Sequence, residues 1–147
     1  MASTYTSAGL ELIGIGEQAN TWGQTLNTNL RLVEQMASGV TSISLTGITS
    51  YTLTTTDGAL SNGRNFVVEF TGSPGATATV TVAPSDMQKV YVVKNSTDQL
   101  LNLTQGSSGD VTVLANATTI VYCDGAGSSA KVVDVANSFD VSSADSF

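Results

Sequence analysis

The spacing of hydrophobic and polar positions changes once along the chain. Between residues 25 and 38, apolar side chains recur at Leu26, Leu30, Val33 and Ala37, with Leu32 and Met36 widening the stripe. That spacing predicts one amphipathic helix, and Gly39 stands where a C-terminal glycine would end it. Its polar face, with Asn27, Thr28, Asn29, Arg31, Glu34 and Gln35, is expected to meet water or a partner. From Val40 onward the period is two. Residues 42–46 and 51–54 alternate. In residues 76–82, Ala76, Ala78, Val80 and Val82 take one face and Thr77, Thr79 and Thr81 the other. Further strands are expected at 65–71, 88–94, 99–104, 110–115, 118–123 and 131–135. Residues 90–93 and 120–123 are apolar on both faces, which predicts central strands covered on both sides.

Turn signals separate these runs: Asp57-Gly58, Asn62-Gly63, Pro74-Gly75, Gly106-Ser107-Ser108-Gly109 and Asp124-Gly125. Roughly nine short strands without intervening helices predict a mainly β fold, an antiparallel β-sandwich or jelly-roll-like domain. The chain divides into an extended N-terminal arm with the short helix (residues 1–39), the β domain (40–136) and a C-terminal tail (137–147). The tail is polar and acidic apart from Phe139, Val141 and Phe147, which could dock on a neighbour.

Composition sharpens this picture. The length, 147 residues, suits one domain that can fold without metals or disulfides. Thr, Ser and Val are abundant and only 12% of residues are charged, so hydroxyls and amides must cover most of the surface. Net charge is −7, and the five cations, Arg31, Arg64, Lys89, Lys94 and Lys131, form no basic run. A phosphate-binding groove needs clustered cations, so no direct nucleic-acid partner is expected. No apolar run reaches the ~20 residues of a membrane span and no signal sequence is evident, which predicts synthesis in a cytoplasm and no membrane partner. The single cysteine, Cys123, lies in an apolar strand and reads as a small buried residue.

Candidate chemistry is sparse. The chain has no histidine and one cysteine, which removes Ser-His-Asp and Cys-His catalysis and the usual zinc sites. No nucleophile elbow, Walker loop or EF-hand loop occurs. Carboxylates alone can hydrolyse glycosides, but Glu69, Asp86, Asp98, Asp110, Asp124 and Asp134 fall mostly at turns or on polar strand faces. The run from Gly14 to Ala19 matches G-x-G-x-x-A, yet no βαβ unit follows, so it does not predict dinucleotide binding. The expectation is a protein with no catalytic residues, cofactor or metal that binds other proteins.

One stretch is unlike the rest. Leu12-Ile13-Gly14-Ile15-Gly16-Glu17-Gln18-Ala19-Asn20-Thr21-Trp22-Gly23, followed by Thr25-Leu26-Asn27-Thr28-Asn29-Leu30, resembles the N-terminal signature of a family of bacteriophage virion proteins. In that family, common in phages of cyanobacteria and other aquatic bacteria, Gly-Glu-x-x-x-Thr-Trp-Gly precedes Asn-x-Asn and a short helix. The likeness covers residues 10–36, and Asn20 departs from it where Gly or Ser is expected. The resemblance implies a structural protein of the virion, assembled in the host cytoplasm. Its members include tail-fibre-like and head decoration proteins. Brevity favours a decoration (cement) protein on the major capsid protein over a tail fibre recognising a host receptor or glycan. On this reading Leu10, Leu12, Ile13, Ile15, Glu17, Trp22, Asn27 and Asn29 contact the shell. Residues 10–15 would add a strand to it and Trp22 would act as an anchor, unless Trp22 packs in the core. The β domain would form a homotrimer.

Overall fold

A computed structural model describes residues 2–106 and 111–136. The elements run β1 (Thr4–Tyr5), β2 (Glu11–Leu12), α1 (Trp22–Ser38), β3 (Val40–Ser44), β4 (Ser50–Thr54), β5 (Val67–Thr71) and β6 (Ala78–Ala83). They continue as β7 (Gln88–Asn95), β8 (Leu101–Thr104), β9 (Val111–Val113), β10 (Thr118–Asp124) and β11 (Val132–Asp134). Three sheets result: the hairpin β1-β2, a five-stranded sheet in the order β11-β10-β7-β5-β3, and a four-stranded sheet in the order β4-β6-β8-β9. The two large sheets face each other across one apolar core. Ile43, Val68, Phe70, Tyr91, Val93, Val121 and Cys123 enter it from one side, and Leu53, Val80, Val82, Leu101, Leu103 and Val113 from the other. Among the described residues, the mainly β, sandwich-like fold with one α-helix is the expected one.

The pairing corrects the antiparallel expectation. β3-β5, β5-β7, β4-β6 and β6-β8 are parallel; β7-β10, β10-β11 and β8-β9 are antiparallel. The reason is topological. From β3 to β8 each strand crosses to the opposite sheet, so its neighbour in the same sheet arrives one coil later, running the same way. Val40, Val67 and Val92 therefore stack in register on one sheet, and Tyr51, Val80 and Leu103 on the other. Asn62-Gly63, expected in a turn, lies in a 3-10 turn within such a crossing. Asp124-Gly125 does precede an antiparallel return, from β10 to β11. Of the Gly106–Gly109 turn, residues 107–109 lie outside the described residues, as do Asp110 of the 110–115 strand and the whole 137–147 tail.

A second correction concerns the segments apolar on both faces. β7 and β10 are interior strands, but only one face of each is covered. Val90, Ile120 and Tyr122 remain 45%, 39% and 40% exposed, and the ladder puts Val90 opposite Tyr122 and Val92 opposite Ile120.

Candidate interaction surface

The N-terminal segment is a folded module rather than an extended arm. β1 and β2 pair antiparallel, Thr4 with Leu12 and Tyr5 with Glu11. The outer edge of β2 is closed by the helix: the Glu11 N–H donates to Asn29 Oδ1 and Asn29 Nδ2 donates to the Glu11 carbonyl, both at 2.9 Å. Gln18 adds a second clasp, its amide donating to Ser3 Oγ and Glu11 Oε1 and accepting from Thr25 Oγ1. This alters the strand-addition mechanism, since the edge at Glu11 is already occupied. Contact through side chains stays open.

The module is seated on the β domain by Arg64. Its guanidinium, 2% exposed, donates to the carbonyls of Ala8 and, at 3.2 Å, Thr56, and lies 3.6 Å from the Asp57 carboxylate. Burial lowers the Arg64 pKa, partly offset by Asp57. Gly9 makes this seat possible: a Cβ there would collide with Arg64 Nη2, and its φ of +76° suits glycine. The Gly58 N–H donates to the Gly9 carbonyl at 2.8 Å.

The connector between β2 and α1 runs through left-handed backbone at three positions. Gly16, Gln18 and Asn20 have φ values of 80°, 58° and 72°. Asn tolerates the left-handed region better than most residues, so Asn20 can stand where Gly or Ser is expected. The Gly14–Ala19 run is thus a surface connector, and the strand before it, β2, lies in an antiparallel hairpin rather than in the parallel sheet a dinucleotide fingerprint requires.

α1 extends three residues N-terminal of the expected start, beginning at Trp22. Gly39 caps it in an extended conformation (φ −66°, ψ 136°), not the left-handed one its position suggested. A Cβ there would collide with the Gln35 carbonyl oxygen and with Asn65 Oδ1, so close packing is what asks for glycine.

The helix is turned the unexpected way. Leu32 is fully buried, and Thr25, Thr28, Asn29, Gln35 and Met36 are half-buried beside it. The apolar stripe faces outward: Trp22 57%, Leu26 45%, Leu30 59% and Val33 47% exposed, continuing to Val40 at 69%. Core packing for Trp22 is therefore excluded. Of the other expected contact residues, Leu12 and Ile15 are 55% and 88% exposed, and Glu17 and Asn27 are exposed, while Leu10, Ile13 and Asn29 are half-buried. Asn29 serves the module internally. Sequence reasoning missed Arg64 and Gln18 as its fasteners, because a lone cation and an amide carry no local pattern.

Elsewhere chemistry is damped. Burial pushes the Cys123 thiol up to about 12, which makes it a poor nucleophile. Glu69 accepts from Ser96 Oγ at 2.7 Å and pairs with Lys94 Nζ at 3.0 Å, and these partners hold its carboxyl below the usual range. Among the described residues, no group of three or more His, Cys, Asp or Glu is placed to hold a metal ion, and no helix is long and apolar enough to cross a membrane. No family model, curated protein or solved structure matches the chain.

Proposed function

We propose that this protein is a non-enzymatic structural component of a phage particle, a head decoration protein that binds the major capsid protein through its N-terminal module. The observation that carries the reading is the outward display of Leu12, Ile15 and Trp22 from a module fastened to its own β domain. Exposed large apolar side chains on a rigid scaffold are the usual anchors of protein contacts, since little order must be gained on binding. The resemblance of residues 10–36 to a phage virion signature supports the phage assignment. Shell contact runs through side chains rather than strand addition, because Asn29 already takes the β2 edge at Glu11.

Removing the whole module would unseat Arg64, so point changes test the reading better. The Ile15→Ser/Trp22→Ser double variant keeps its fold, because both residues are largely exposed, and co-sediments with shells of the encoding phage at least about tenfold more weakly than wild type. Binding equal to wild type would remove the module from the contact. Antibody labelling of intact virions confined to the tail would transfer the function to a fibre.

A further inference from the structure

We propose that the Lys89 amine is an acylation site, the lysine of this chain that the fold prepares to take short acyl groups from activated donors such as acyl phosphates. Lys89 opens β7 in the β domain, so the inference is independent of the shell contact through Ile15 and Trp22.

The chain has three lysines, and their settings differ. Lys94 is an ordinary surface cation, its side chain 53% exposed and its amine 3.0 Å from the Glu69 carboxylate. Lys131 is exposed to water. Lys89 is half-buried, with Nζ 4.6 Å from the centre of the Tyr91 ring and 5.9 Å from that of Phe66. Among the described residues it donates one long hydrogen bond, 3.4 Å to the Val90 carbonyl. The charged and titratable groups around it are Arg64 from the crossing before β5, Tyr91 on its own strand and Cys123 opposite it on β10. No carboxylate answers the ammonium. Asp57 lies against Arg64, and Asp124 Oδ1 accepts from the N–H groups of its own loop, Ala126 at 3.2 Å and Lys131 at 3.0 Å. An amine set among rings beside a second cation holds its proton weakly, and the free amine is the nucleophile. Burial, and then the Arg64 charge, lower its pKa to about 8.

The approach to Lys89 is an open cleft of about 290 Å³, walled by the exposed apolar side chains of Val90 and Tyr122. Drug-sized ligands need pockets of roughly 300–1,000 Å³, so the cleft suits an acetyl or propionyl group. Cys123 lines the same cleft but does not compete, being 2% exposed with its thiol pushed up to about 12. In the reaction the amine lone pair attacks the acyl carbon and a C–N bond forms. The C–O bond to phosphate breaks, phosphate leaves with that electron pair, and the surplus amine proton passes to water. An amide replaces the ammonium.

The test is acetylation of the full chain by acetyl phosphate, with each lysine followed by peptide mass spectrometry. At pH 7.5 about a quarter of a group titrating near 8 is free amine, against about one in a thousand for one at 10.5. A weaker base is a weaker nucleophile and the cleft narrows access, so Lys89 is expected to react about tenfold faster than Lys94 or Lys131. Its rate levels off above about pH 9, while theirs keep climbing. In urea the three lysines react alike, because the advantage belongs to the fold. Lys89 reacting no faster than the other two at pH 7.5, a Lys89 rate still rising through pH 10, or a preference for Lys89 that survives unfolding each overturns the proposal.

Discussion

At the start of β7, Lys89 holds its amine 4.6 Å from the centre of the Tyr91 ring and 5.9 Å from that of Phe66. Burial, helped by the Arg64 charge, lowers its pKa from 10.5 to about 8. The unfolded chain keeps this proton up to 10.5, so between these values it binds more protons than the folded chain, and stability rises with pH. Cys123 works in the opposite direction. Burial lifts its thiol from 9 to about 12, and the Tyr91 phenol is also raised. Above pH 9 the unfolded thiol ionises first, and the contribution of this group to stability falls. Urea midpoints followed by circular dichroism are thus expected to climb from about pH 7.5 to about pH 9, level off while the two groups oppose each other, and decline above 10.5, where Lys89 no longer contributes. The climb is worth under ~1 kcal/mol, because the amine keeps part of its water. Lys89→Met removes the climb and leaves the decline; a wild-type profile flat below about pH 9 would show that Lys89 is not desolvated as described.

The helix is the element where pattern and structure part most usefully. Its apolar stripe reads from the sequence as a core face, yet Leu32, from the margin of that stripe, is the fully buried residue. Leu32→Ala is expected to cost about 2–5 kcal/mol, whereas Leu30→Ala leaves stability within about 1 kcal/mol of wild type. Chemical unfolding compares them, and equal losses would mean that the stripe packs inward. Periodicity reported that α1 has an apolar side and not which neighbour covers it, since Leu26 spaces identically against a domain or another helix. Strand positions were legible for the same reason: β6 alternates as its threonines and valines require. Parallel pairing was not, because Val40, Val67 and Val92 become neighbours through crossings that no local signal encodes. In the module, Trp22 and Ile15 stood out as unusual residues, while Arg64 became visible only once folding brought it under Ala8.

Over the whole molecule the alternating path from β3 to β8 sets how the chain must fold. Each coil leaves one sheet, crosses the core and returns, so Val40 pairs with Val67, and Tyr51 with Val80, only after a full coil is in place. Closing such loops costs entropy before any apolar burial repays it. The later strands compound this: β10 packs antiparallel on β7 across the intervening sequence that forms β8 and β9 on the other sheet. A chain dominated by contacts distant in sequence folds in milliseconds to seconds rather than microseconds. Stopped-flow refolding should therefore give a main phase on the order of 1–100 per second, with a chevron slope indicating most surface already buried at the barrier. The module lies outside the coils, its hairpin held to the helix across 18 residues by Asn29 and Glu11, so Asn29→Ala should alter the unfolding limb more than the folding limb. Refolding faster than about 10,000 per second would mean that the coils assemble from local contacts, against the register that joins them.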